Sequence, residues 1–572
     1  MTLSYLQENE EHDKNRPRTR FLPVLLLLIV ILFVLVDRTL WASVASWRED
    51  TATNLWLGYN QSPLNIPVGL ISEQGLPNPN GLVLLSEVLS RLPNLWVIGT
   101  VLGVLQAVLI GWVCWLTTNN PKILLVVSGP LLSSLILREV SVELWNNWML
   151  LPVNLLFLGG IIIYLTRRSL YAIPLFVSVI LMSPSIYLAG LVNSIAYVLI
   201  IVIVCVIHPP KFSKRNWITP VALSAIILFV SVWLTWYPYF KQVAFFDVLH
   251  QANVNALGIN ERILVALKSF FTFPIWSLSQ WVADTNTSDY PVLLFGTHIL
   301  SAQRISGYRI LRGLILIQGC VCYLITLVAL VFWKLERRPF TDLFSPGKYP
   351  IGLAVILIGL FIALSYAISP LIGGPVWANN QRLDNVTQFL PFLLLIWFLT
   401  PFLIELPRIV RKPALIITWM ISISYTVLSL IVGVSIVLAT LSYRGNVLTQ
   451  ADVPLPDKLN AIGFIANDWK SNSSSKIIAV DYDLGGGFWD WIPKFGSSYS
   501  KWYAAPFTLG RAFDYEFLRE YGLYNYQEGI QIRSFGTGRY LINYAFDPPP
   551  QVLGHSMRYY VFGRLRVAIV DK

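Results

Sequence analysis

Segments of about 20 apolar residues recur along this chain, and a stretch of that length crosses the hydrocarbon core of a bilayer as an α-helix. They lie at 21–36, 95–117, 122–137, 148–165, 170–184, 187–207, 217–236, 312–333, 350–368, 387–406 and 414–442. Lipid offers no hydrogen bonds to a backbone, so each segment must satisfy its own N–H and C=O groups and is read as a helix. Composition agrees: of 572 residues 55% are hydrophobic and 13% charged, where an ordinary soluble domain carries roughly 25% charged. The expected fold class is therefore an α-helical polytopic membrane protein of about eleven transmembrane helices, with a small C-terminal extracytoplasmic α/β domain. The first segment follows Lys14, Arg16, Arg18 and Arg20. No small-residue cleavage site comes after it, since Asp37-Arg38-Thr39-Leu40-Trp41 follows, so it is read as a retained anchor.

Orientation follows from Lys and Arg in the short loops. With residues 1–20 as a cytoplasmic basic tail, the inner loops carry Lys122, Arg167, Arg168, Lys211, Lys214, Arg215, Lys334, Arg337, Arg338, Lys348, Arg408, Arg411 and Lys412. The short outer loops carry only Arg138 and Arg382. This alternation puts 443–572 outside, beyond a transmembrane body at 21–442, and fits a multi-pass protein of a bacterial inner or plasma membrane. The formal net charge of +11 is spread among these loops and forms no stripe able to track phosphates, so nucleic acid is excluded as a partner. The four cysteines, Cys114, Cys205, Cys320 and Cys322, all sit in apolar runs and are read as small hydrophobes.

Two long outer segments, 38–93 and 237–311, and the C-terminal domain are where chemistry is expected. Within the first, Leu82, Leu85, Leu89 and Leu92 recur at helical spacing opposite Ser86, Glu87, Ser90 and Arg91, which predicts an amphipathic surface helix. A second is expected over 41–59, with Trp41, Val44 and Trp47 on one side. The loop also carries Glu49 and Asp50, and a partly desolvated carboxylate there has the raised pKa a general base needs. The next outer loop carries Glu139 and Glu143, four apart on one helical face. Paired with Asp50, either could orient an acceptor or hold a divalent metal. No ligand spacing indicates a metal, however, and the cofactor is left unassigned. For a phosphate-bearing ligand at the outer interface, Arg138, Arg382 and Arg262 are the candidate clamps, because guanidinium groups bind phosphate oxygens bidentately. In the C-terminal region a helix is expected over 457–470, a strand over 476–481 and paired strands over 558–570.

A basic N-terminus, one helix, an acidic first outer loop beginning Trp47-Arg48-Glu49-Asp50, many further spans and a C-terminal outer domain resemble the GT-C membrane glycosyltransferases. The nearest likeness is to their protein O-mannosyltransferase and aminoarabinose-transferase branch. Gly75-Leu-Pro-Asn-Pro79 is similar to a segment that follows in bacterial members. The resemblance implies an enzyme that moves a hexose or pentose from a polyprenyl-phosphate donor to a glycan, lipid or protein acceptor on the extracytoplasmic face. It implies Asp50 as catalytic base and Glu143 or Glu139 as the second acidic group. The first-loop acidic pair stands here in the reversed order Glu49-Asp50, and the second loop has glutamates where aspartate is usual. Two alternatives remain open. One is a non-catalytic lipid-linked-glycan translocase or envelope assembly scaffold. The other is an enzyme of the O-antigen ligase or polymerase type, with its essential Arg and His in 237–311. Charged residues are nearly absent from the spans as read from sequence, which argues against an ion-coupled carrier.

Overall fold

In the computed structural model the described residues are 21–44, 68–71, 77–118, most of 131–142, 149–167, 170–188, 190–207, 217–243, helical residues between 416 and 438, 455–472, 477–478, 480–483, 524–525, 539–545, 548–551 and 554–571, with isolated residues elsewhere. They are mostly helical, with a small sheet near the C-terminus. In chain order the helices are α1 (Phe21–Val44), α2 (Gly81–Leu89), α3 (Leu95–Thr118), α4 (Leu135–Val142), α5 (Leu150–Arg167), α6 (Ala172–Ile186), α7 (Gly190–Ile207) and α8 (Ile218–Ser231). A π-helical turn, Val232–Trp236, joins α8 to α9 (Tyr237–Gln242). Among the described residues, two helical stretches are long and apolar enough to cross a membrane: Leu95–Leu116 and Ile218–Lys241. Shorter apolar helices run at Leu150–Leu165, Ala172–Ile186 and Gly190–Val206. The expected segments at 312–333, 350–368 and 387–406 lie outside the described residues. Exposed leucine, isoleucine, valine and aromatic side chains cover α8 and one face of α7, as suits helices solvated by lipid.

The first helix departs from the sequence expectation. It does not stop at Val36 but continues for two further turns to Val44, carrying Asp37 and Arg38 inside the helix. Nothing between 37 and 44 is a helix breaker: no glycine or proline occurs, and Leu40, Trp41 and Ala42 extend the apolar pattern. The expected surface helix over 41–59 therefore begins instead as the end of α1. The helix expected near 82–92 is present as α2, but its buried face is Leu82, Val83, Ser86 and Leu89. Ser86 turns inward because Gly58 passes so close that a Cβ at 58 would meet the Ser86 and Glu87 backbone.

Successive helices pack as neighbours, α1 on α3 and α4, α3 on α5, α5 on α6, and α6 on both α7 and α8. The chain end of α1, the start of α3, the α6–α7 corner and the last turns of α8 gather at one end. Trp96 Nε1–H donates to the Thr39 carbonyl at 2.7 Å. A short antiparallel pair, β1 (Val68–Ile71) and β2 (Pro77–Pro79), leads into α2 at the same end. Asn78 Oδ1 accepts the Leu188 N–H at 3.0 Å, and a Cβ at Gly81 would strike the Ser185 backbone. Asn80 Nδ2–H donates to the Leu234 carbonyl at 3.2 Å. That carbonyl is accessible for a reason. Its α-helical donor would be residue 238, which is proline and has no N–H, and the proline ring crowds the carbonyl four residues back, widening the turn before it.

Near the C-terminus, α10 (Leu455–Asn472) lies on a four-stranded sheet of order β4 (Val480–Asp483), β6 (Tyr540–Tyr544), β8 (Leu565–Asp571), β7 (Ser556–Phe562). β4 and β6 are parallel, and the β6–β8 and β8–β7 pairs are antiparallel. A two-stranded parallel pair, β3 (Ile477–Ile478) with β5 (Tyr524–Asn525), stands apart from it. Ala461, Ile462, Ile465 and Ala466 of α10 pack on Tyr540, Ile542, Leu565, Val567 and Ile569. The β7–β8 hairpin turns on Gly563 at φ 58, a left-handed value that glycine adopts without a Cβ penalty. Asp457, at the start of α10, accepts the Arg564 N–H at 3.1 Å, and burial holds its carboxyl above the ordinary carboxylate value. The expected helix, strand and hairpin of this region are thus present, each shifted by a few residues.

The Asn80–Leu234 bond is testable by a double-mutant cycle. Asn80→Ala should cost about 1 kcal/mol of thermal stability in detergent. In a Pro238→Ala background, where residue 238 regains its N–H, the cost should fall to less than half. An equal cost in both backgrounds would contradict the account.

Candidate functional site

Two guanidinium groups and one carboxylate are buried together at the end of the bundle that carries the first loop. Asp37, on α1, is 6% exposed, Arg38 is 1% exposed and Arg138, on α4, is fully buried. Asp37 Oδ1 accepts from Arg138 Nη1 at 2.8 Å and Asp37 Oδ2 from Arg38 Nη1 at 2.5 Å. Arg38 Nη2 donates to the Leu132 carbonyl at 3.0 Å. Trp41, one turn beyond Asp37, lies with its ring 5.0 Å from the Arg138 guanidinium carbon, a cation–π contact. Among the described residues, two guanidinium groups and one carboxylate meet inside a mostly apolar bundle.

Glycines make room for the long side chains. A Cβ at Gly103 of α3 would come within 2.9 Å of the Arg38 stem, and one at Gly433 would collide with the Arg138 guanidinium. No other residue type fits at either place without moving an arginine. The cluster thus ties together α1, α3, α4 and the helical residues around 433. Arg38 Nε is buried with no hydrogen-bond partner among the described residues, so its donor capacity is not exhausted by Asp37 and Leu132.

Of the residues expected from sequence, Arg138 is the one whose side chain is described, and it is not a loop residue at the interface. It belongs to α4, fully buried and ion-paired, because Asp37 draws it into the bundle. Glu139 is also in α4, with its side chain outside the described residues. Asp50, Glu143, Arg262 and Arg382 lie outside the described residues altogether. Asp37 and Arg38 were missed by sequence reasoning, which placed them in a polar loop. The legible signal was that no stop signal follows them and that Asp37 and Trp41 stand four apart. The two described helical stretches long and apolar enough to cross a membrane carry no charge but Lys241 at the end of the second, and Asp37, Arg38 and Arg138 lie on α1 and α4. Among the described residues no group of three or more His, Cys, Asp or Glu is disposed to hold a metal ion.

A scan against protein-family models and searches of curated proteins and of solved structures find no match to this chain.

The charge arithmetic makes a ranked prediction. Asp37→Leu takes from two buried guanidinium groups the carboxylate they share and should cost about 3–5 kcal/mol. Arg38→Met leaves the neutral Asp37–Arg138 pair and should cost much less. Thermal melts in which Arg38→Met is the more damaging change would show that Asp37 is not the keystone.

Proposed function

We propose that the chain is an integral membrane glycosyltransferase that moves a sugar from a polyprenyl-phosphate donor to an acceptor on the extracytoplasmic face. The observation that carries the reading is the burial of Asp37, Arg38 and Arg138 together in one cluster. Charge buried in a membrane bundle is expensive and is kept where it serves a ligand or a pathway. A sugar–phosphate–lipid diester carries one negative charge, the sign that a guanidinium group holds. Its phosphate can take the unused donors of an arginine fork while its polyprenyl tail stays in the bilayer.

The topology read from the positive loops supports the same picture. The first loop, the α6–α7 corner and the end of α8, all expected outside, meet at one end of the bundle, and Arg138, expected in the next outer loop, joins Asp37 there. Asp50 follows six residues after the end of α1, and Glu143 directly follows the end of α4. Both acidic residues therefore leave the helices that carry the arginines. In the proposed roles, Asp50 removes the proton of the acceptor hydroxyl as it attacks the anomeric carbon. Glu143 or Glu139 orients that acceptor. Arg38 and Arg138 hold the phosphate that departs with the lipid, offsetting the charge that develops on it. Arg262 and Arg382 are further candidates for the same phosphate. Residues 443–572 are read as a domain on the same, extracytoplasmic side.

A second reading has one observation in its favour. Gly103 and Gly433 hold the arginines so closely that the cluster can serve as a staple between helices, as a non-catalytic translocase or scaffold would use it. Activity separates the two. In membranes supplied with radiolabelled polyprenyl-phosphate sugars, Asp50→Asn should reduce transfer by about 100-fold or more. Arg38→Met should reduce it about 10- to 100-fold at normal protein levels. Undiminished transfer in both variants would leave the staple.

A further inference from the structure

Asn154 and Asn193 hold unused hydrogen-bonding capacity beside the hydroxyls of Ser183, Ser194 and Tyr197, which are each bonded. Asn193, on α7, has no exposed surface, and neither Oδ1 nor Nδ2 meets a partner among the described residues. Asn154, on α5, is 4% exposed, and its Nδ2 also has no such partner. Its Oδ1 accepts from the hydroxyl of the fully buried Tyr197, whose ring stacks on Phe157 at 4.1 Å. Asn193 and Tyr197 are four residues apart and share one face of α7. Ser194 donates to the Ile180 carbonyl at 2.6 Å, and Ser183 to the Gly190 carbonyl at 3.0 Å. Buried carboxamides are ordinarily paired at both ends, so one that is unpaired and one that is half-paired require a reason.

We infer that Asn154 and Asn193 form an uncharged subsite that takes the hydroxyl groups of the donor's sugar ring, an inference that rests on the transferase reading above. The chemistry of the groups selects the ligand class. The two Nδ2 groups offer N–H donors and Asn193 Oδ1 offers an acceptor, with no formal charge on any of them. An anion would meet the Oδ1 dipole and a cation the N–H groups, whereas a hydroxyl both donates and accepts and satisfies each in turn. The position also fits. Asn193 is in the first turn of α7 and Asn154 in the second turn of α5, at the end of the bundle where the first loop and the arginine cluster lie. Tyr197, held by Phe157, sets the orientation of the Asn154 amide and leaves its N–H groups for the ligand. The Tyr197 hydroxyl is thus a positioning group.

The test is equilibrium binding to the full-length protein in nanodiscs, with two kinds of probe: sugar-free polyprenyl monophosphate, and the same lipid esterified with glucose, galactose or mannose. Wild type should bind at least one sugar ester about tenfold tighter than the sugar-free lipid, the worth of one to two hydrogen bonds. Asn193→Leu should bind the sugar-free lipid as wild type does and lose that tenfold increment. It should also melt at a higher temperature, since it removes two unsatisfied polar atoms from an apolar setting. Asn193→Ala serves the same comparison where the leucine variant does not fold. An increment that survives both substitutions overturns the subsite, as does a wild type that binds all the lipids equally. A wild type that binds none of them overturns the transferase reading, and the subsite with it.

Discussion

A carboxylate held between two guanidinium groups within a bundle of apolar helices is the constraint on which the rest of this structure depends. At ion-pair distance and an effective dielectric near 20, each attraction is on the order of 4 kcal/mol, and the repulsion between the arginines cancels part of it. Removing three ions from water costs several kcal/mol apiece. The balance does not favour such a cluster as a source of stability. Apolar side chains of similar volume would pack the same helices at least as well. Its retention, together with glycines at 103 and 433 that leave space for the arginine side chains, is what the proposed role in holding a ligand accounts for.

The surroundings of the cluster are fixed by backbone chemistry more than by side-chain bulk. Proline at 238 removes a donor from α9 and widens the turn before it, and the first loop exploits this through Asn80. Close backbone approaches at Gly58, Gly81 and Gly190 seat α2 and the α6–α7 corner against one another. The loop that sequence analysis marks as chemically interesting is therefore docked on the bundle through described contacts between residues 78 and 86.

Much of the fold was legible because long apolar runs read as helices by a simple rule. The helices at 95–118, 150–167, 172–186, 190–207 and 218–242 fall where apolar runs predicted them, within a few residues. The hairpin around Gly563 was legible from alternation and a glycine turn. The site was less so. Asp37 and Arg38 read as the polar end of a span because two adjacent charges ordinarily mark the interface. Only a partner 101 residues away, Arg138, makes their burial tolerable, and no local pattern encodes that pairing. The orphaned amides of Asn154 and Asn193 were equally silent, since an asparagine within an apolar run looks the same whether it is paired or not.

The most direct measurement is an experimental structure of the full-length protein in nanodiscs with polyprenyl monophosphate bound. The account predicts the phosphate within hydrogen-bonding reach of the Arg38 or Arg138 guanidinium, with Asp37 still engaging at least one of them. A phosphate seated elsewhere, with the three side chains arranged as they are without it, would contradict the claim that the buried charge exists to hold an anionic lipid.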